Sequence, residues 1–253
     1  MKSYLYFIKK ELVEQYKNYK LFILGGVLLI FAMLSPVLAK MMPEIFKSVD
    51  MGIEIIIPQA TFIDSYSQFF KNINQTVIIM IIFLFSGNIV QEINRGTAIL
   101  MFSKGLSRSV FILSKFTAEL IMWTVCYALS VAVFEGYTQY LFPLQAPENV
   151  FLTMLCLWLF TTFLLTVIIF AGVLVKQSYL AMIISGGIIM VLFILSVFPK
   201  IADYLPTYLV NINIELIAGT KEFNDVLISI LITTVLSILC LLAAVTIFKK
   251  KQI

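Results

Sequence analysis

An all-α membrane protein with six transmembrane helices is the fold class this sequence predicts, and three observations predict it. Apolar residues make up 61% of the 253 residues and charged residues only 13%, against ~45–50% and ~25% in soluble domains. The mean hydropathy is +1.01. The apolar residues also gather in uninterrupted runs, close to the ~20 residues a helix needs to cross the hydrocarbon core. Finally, the cations cluster on alternate sides of those runs. The runs lack the alternation of barrel strands, which span in ~9–11 residues.

The chain divides into two parts, residues 1–20 and the six-span domain 21–253. The first twenty residues place Leu5, Ile8, Leu12 and Tyr16 at helical spacing among Lys2, Lys9, Lys10, Lys17, Lys20, Glu11 and Glu14. This pattern predicts an amphipathic helix lying in the headgroup plane, either as a simple anchor or as an elbow docked on a partner. It lacks the short apolar core and small-residue cleavage site of a signal peptide. Six spans follow, over residues 21–39, 73–91, 117–141, 151–174, 178–198 and 225–248. The turn Val175-Lys176-Gln177-Ser178 is short enough to make spans four and five antiparallel neighbours. Two outer loops, 40–72 and 199–224, are too apolar for solvated loops. They read as short helices at the interface, punctuated by Pro43, Pro58, Pro199 and Pro206.

Charge decides the orientation. If the spans alternate, Lys2, Lys9, Lys10, Lys17, Lys20, Arg95, Lys104, Arg108, Lys115, Lys176, Lys249, Lys250 and Lys251 share one side, and Lys40, Lys47, Lys71, Lys200 and Lys221 the other. Both termini are therefore expected in the cytoplasm. The formal net charge of +4 is a topology signal. It is no nucleic-acid footprint, because that needs a solvent-exposed basic domain.

No catalytic or energy-converting site is legible. The chain has no histidine, and its three cysteines, Cys126, Cys156 and Cys240, are scattered through apolar runs. Histidine triads, HExxH sites and His-ligated zinc are excluded, and no metal site is expected. There is no GxxxxGK[ST] loop for ATP. The span centres carry no Asp, Glu, Lys or Arg, where ion-coupled transporters place their ionisable groups. Glu119 and Glu135 sit near opposite ends of span three. Gly25-Gly26 and Gly186-Gly187 read as close-packing pairs. The expectation is a passive or externally driven machine, not an enzyme.

The segment EINRGTAILMFSKGLSRSVFILSKF, residues 92–116, interrupts this pattern on the cytoplasmic side. Ala98 to Phe102 are apolar but too few to cross, and Gly96 and Gly105 bracket them. Ser107 or Ser109 is positioned to N-cap the helix that runs on into span three. A short apolar helix rimmed by cations is the expected face of a protein contact. The bland alternative is a helix lying on headgroups.

Glu92, Gly96-Thr97, the run Ile99 to Phe102, Ser107-Arg108 and Lys115 together resemble the loop after span two in permeases of the ABC-2 type. Six spans, the first helix, PQATFIDSYSQFF before span two, apolar outer segments and a basic tail extend the resemblance over the whole chain. It implies the membrane subunit of a bacterial ATP-binding-cassette exporter in the cell membrane. Two permease chains, identical or paralogous, would pair around a path above two separate ATP-binding subunits, which carry the ATP and Mg. The coupling helix implied is Asn94, Arg95, Gly96, Thr97, Ile99, Leu100, Met101, Phe102 and Lys104, with Arg108 orienting the contact. The elbow face implied is Leu5, Ile8, Leu12 and Tyr16. Spans two and five would line the path, making Thr76, Ser86, Asn88, Ser185 and Ser196 lining candidates and Glu92 and Glu119 conformational ones. Small Gram-positive exporters of this shape imply amphipathic peptides or peptide antibiotics as cargo, the phenol-soluble modulins among them. The alternatives are an ion-coupled secondary transporter or a non-transporting regulatory membrane subunit.

Overall fold

The structure, a computed structural model, describes residues 2–48, 59–143 and 147–251. Every regular element among the described residues is helical. Six helices are long and apolar enough to cross a membrane: Lys20–Pro43, Phe62–Asn94, Arg108–Leu141, Val150–Leu174, Ser178–Leu195 and Phe223–Lys250. We call these spans one to six.

The chain opens with α1 (Lys2–Lys17), which folds back onto the start of span three. The joint to α2 (Lys20–Ser48) is made at Tyr19, held at φ 59°. Span one lies within α2, which continues past Pro36 and Pro43. Pro43 therefore does not end the helix as its position in the sequence suggests. Pro58 lies outside the described residues.

Span two begins a full eleven residues before the expected start at residue 73. Helix α3 (Phe62–Asn72) runs through one π-helical turn at Ile73–Val77 into α4 (Ile78–Phe85) and α5 (Asn88–Asn94). Its sequence FIDSYSQFF carries too many polar residues to score as lipid-exposed. It extends the helix of span two because Ser65, Tyr66, Phe69 and Phe70 are buried in protein. The Asp64 carboxylate starts the helix by accepting from the Thr61 amide at 2.8 Å and hydroxyl at 2.9 Å, the N3 half of a capping box.

After α6 (Thr97–Ser103), span three is α7 (Arg108–Leu141), capped by Ser107, whose side chain accepts from the Val110 amide. Spans four and five are α8 (Val150–Leu174) and α9 (Ser178–Leu195). Short helices α10 (Pro199–Ala202), α11 (Tyr208–Asn211) and α12 (Asn213–Ile217) follow, as the apolarity of that loop predicts. Helices α11 and α12 pack on α8 and bury Leu209, Val210, Leu216 and Ile217. Span six is α13 (Phe223–Lys250), its first turn held by Asp225, which accepts from the Glu222 amide at 2.9 Å.

Span four is the spine. It packs on spans three, five and six and on the outer helices. Its hydroxyls Thr161, Thr162 and Thr166 all bond carbonyls of their own helix, so they cost nothing in an apolar core. The main core joins it to Tyr66, Phe69 and Phe134, with Phe69 stacked on Phe134 at a 4.1 Å centroid distance. A second core sits where both chain ends meet. It joins Ile89, Ala98, Phe111, Ile112, Ile169, Val173, Ala244 and Phe248. This end is called the termini end below.

Candidate functional site

The site is built at the termini end from one short helix and the packing beneath it. Gly96 at φ 71° and Gly105 at φ 90° provide the two reversals that set α6 across the bundle. Only glycine adopts that conformation without strain. The helix then sorts its own side chains. Ala98, Met101 and Phe102, at i, i+3 and i+4, face the second core. Phe102 meets Phe111 at 5.4 Å and Phe248 at 6.1 Å between centroids. Ile99 and Leu100 face the other way, 48% and 64% exposed. An apolar pair is thus presented on a platform anchored in spans three and six.

The polar residues around α6 have different tasks. Arg108 donates to the carbonyls of Phe248, Lys249 and Lys251, at 3.3, 2.9 and 2.5 Å. It closes the end of span six and lies 5.8 Å from the Phe102 ring centroid. Lys251 donates to Val173 and Val175, and Asn94 to Lys176, which closes span four. Burial, and then the neighbouring charge of Lys176, holds the Lys251 ammonium below the usual lysine range. Thr97 bonds the Glu92 carbonyl at 3.0 Å. The side chains of Arg95 and Lys104 are exposed and form no hydrogen bond or ion pair among the described residues. Of the cations expected to orient a contact, those two remain outward, whereas Arg108 is spent internally.

Behind α6 lies a charged cluster that the sequence conceals. Lys115, only 2% exposed, donates to Glu11 at 2.9 Å and pairs with Glu92 at 3.1 Å. Lys10 contacts Glu11, Glu14 and Glu92 at 3.0, 2.8 and 2.5 Å. Glu11, Glu14 and Glu92 converge as metal ligands would, but the Lys10 ammonium already stands among them. One turn deeper, Asn88 donates to Glu119 at 2.6 Å and accepts from Lys20. The cluster ties α1 and spans one, two and three together just behind α6. Glu92 and Glu119 were legible from the sequence as isolated candidates. Lys10, Glu11 and Lys115 were not, because they lie about a hundred residues apart in the chain.

Of the elbow residues, Ile8 is buried and Leu12 half-buried, while Leu5 and Tyr16 are 65% and 56% exposed. The face that docks on the bundle instead carries Tyr4, Ile8, Glu11 and Gln15. Tyr4 and Thr117 share a 2.6 Å hydroxyl bond. The helix turns Glu11 inward beside Ile8 and leaves Leu5, Tyr6 and Tyr16 outward, because Lys115 supplies an internal partner for Glu11.

Spans two and five face each other across an open apolar groove of about 490 Å³, floored by Asn74, Gln75, Ile78, Gly186 and Gly187. None of the five expected lining residues is in it. Ser185 and Ser196 bond carbonyls of their own helix, Ser86 is buried, Thr76 is exposed within the π-helical turn, and Asn88 belongs to the charged cluster. No protein-family model and no curated protein matches the chain.

Proposed function

We propose that this chain is the membrane-spanning subunit of an ATP-driven exporter, moved by a separate nucleotide-hydrolysing subunit that grips α6. The observation that carries the reading is the exposed pair Ile99-Leu100 on a helix whose other face is packed into the bundle. An apolar pair held rigidly at the surface, with the unpaired cations Arg95 and Lys104 at either end, matches the anatomy of a protein contact. Force applied there passes to spans two and three through the chain itself. Differential binding of the partner to two states of the bundle supplies the work. Both termini then lie in the cytoplasm, as the lysine distribution favours.

The groove between spans two and five is the proposed wall of the path, completed by a second permease chain. Its apolar lining with a few amides suits amphipathic peptide cargo. The ion-coupled alternative has one observation in its favour, the enclosed carboxyl of Glu119. That group lies one turn from Lys115 near the termini end and is held by Asn88, not free at mid-membrane.

The test is L100D in the complex purified with its ATPase. The variant inserts normally, because the Leu100 side chain is largely exposed, but it loses cargo-dependent ATP turnover and transport. Normal transport by L100D, or cargo movement by the purified chain alone, overturns the reading.

A further inference from the structure

A cavity of about 320 Å³ opens beside the charged cluster, between α1 and the near ends of spans one and two. This size is at the lower bound of ligand pockets. Its inner wall is polar and buried, formed by Glu11, Gln15, Glu92 and Lys115. Its lip is exposed and includes Asn18, Gln91 and Arg95. The mouth continues upward along Ile23 and Phe83, which are 46% and 63% exposed. From Arg95 to Phe83 is twelve residues of span two, about 18 Å along a helix. The cavity is therefore a slot, polar at the termini end and apolar toward the membrane interior.

The wall is formally balanced once the groups that touch it from behind are counted. Carboxylates Glu11, Glu14, Glu92 and Glu119 are matched by Lys10, Lys20, Arg95 and Lys115. Several of its groups remain unsatisfied. Arg95 has no partner among the described residues. Gln15 Oε1 and Glu92 Oε2, buried on the inner side, accept no hydrogen bond. Buried acceptors without donors are costly. A free cation together with free acceptors calls for a ligand carrying both an anionic oxygen and an N–H donor.

We propose that this slot binds one phospholipid whose headgroup carries both a phosphate and a primary ammonium. The phosphate faces Arg95 and Lys20, the ammonium faces the Glu14 and Gln15 side, and the acyl chains run along Ile23 and Phe83. A purely anionic headgroup gains nothing from a balanced wall. A choline headgroup has no N–H to give the free acceptors. The bound lipid braces α1 against span two, immediately behind Arg95. Arg95 is shared with the contact proposed at α6, but the lipid assignment does not depend on that contact.

Native mass spectrometry of the full chain released from nanodiscs tests it, using phosphatidylethanolamine, phosphatidylcholine and phosphatidylglycerol of identical acyl chains. One phosphatidylethanolamine is retained roughly tenfold more tightly than either other lipid, the ratio that one charged hydrogen bond implies. Glu14→Gln removes the carboxylate that faces the ammonium and erases most of that preference. Arg95→Gln and Phe83→Ala each weaken retention of all three lipids, because phosphate and acyl chains are common to them. Arg95 and Phe83 are exposed and Glu14 is half-buried, so folding is preserved. Soluble phosphoethanolamine does not displace the lipid, because it lacks the chains that fill the apolar part. Equal retention of the three lipids overturns the proposal, as does a preference for phosphatidylglycerol. A preference that survives Glu14→Gln, or retention untouched by Arg95→Gln and Phe83→Ala, places the lipid elsewhere and also overturns it, and full displacement by phosphoethanolamine overturns the lipid assignment.

Discussion

Lys115 shows how much one residue commits this fold to. It is almost fully buried between Glu11 and Glu92. Removing one partner from a buried ion pair costs ~3–5 kcal/mol, because the remaining charges stay desolvated. Lys115→Met is expected to destabilise the protein by about that much, read as thermal unfolding in detergent. Lys10→Ala costs less, because Lys10 is 36% exposed and Lys115 still neutralises Glu11 and Glu92. The cluster also sets a pH window for α1. Burial disfavours the charge on Lys10, but Glu11, and then Glu14 and Glu92, outweigh it and raise the ammonium above its ordinary 10.5. Burial likewise disfavours the charge on Glu14, but the Lys10 hydrogen bond and charge outweigh it and lower the carboxyl below 4.5. The raised lysine contributes fully below pH 10.5 and loses its contribution as pH rises through its folded value. The lowered glutamate contributes above pH 4.5 and loses its contribution as pH falls through its folded value. Spin labels at Lys17 and Lys104 should hold one distance between these limits and broaden outside them. A transition near neutrality would contradict the pairing.

At the scale of the element, α6 has two faces with separable consequences. Phe102 packs against Phe111 and Phe248, and it is half-buried. Phe102→Ala should therefore cost a fraction of the ~3–5 kcal/mol of a fully buried phenylalanine. Leu100→Ala should leave the melting temperature unchanged, since the side chain faces outward. Gly96→Ala tests the reversal that orients the helix. Nothing lies within 4 Å of an added Cβ, so the only penalty is the left-handed backbone, ~1–2 kcal/mol. If Gly96→Ala melts like the parent, φ 71° is not required. If Leu100→Ala proves as damaging to stability as Phe102→Ala, the assignment of faces is wrong.

For the whole molecule, the packing is uneven in a way that shows where other surfaces must meet it. Within its most apolar window, span four is 72% buried by the chain itself, spans five and six only 17% and 22%. The outer spans therefore present most of their surface to lipid or to a second chain. The orientation is testable directly. Single cysteines at Lys104 and Lys249 should react with an impermeant maleimide only from the cytoplasmic side, and cysteines at Lys200 and Lys221 only from outside. The native cysteines do not interfere at the buried Cys126 and Cys156, and Cys240 is replaced by serine. Labelling of Lys104 from outside would reverse the topology and remove α6 from any cytoplasmic partner.

The sequence by itself determined the class, the number of candidate spans, the short helices between spans five and six and the interruption at α6. All of these follow from local hydropathy and from glycine and serine signals a few residues long. It missed the true start of span two, because Ser65, Tyr66 and Asp64 read as polar loop. Only packing shows that protein, not lipid, surrounds Ser65 and Tyr66. The tertiary structure alone decided which cations were free. Arg108 and Lys115 look like Arg95 and Lys104 in the sequence, yet the first two are consumed by carbonyls and carboxylates from the opposite ends of the chain. It also decided that α1 docks through Glu11 and Gln15 beside Ile8, leaving Leu5 and Tyr16 outside. A helical wheel assigns faces by hydropathy, but a carboxylate goes inward wherever a buried lysine awaits it, and that lysine is a hundred residues away.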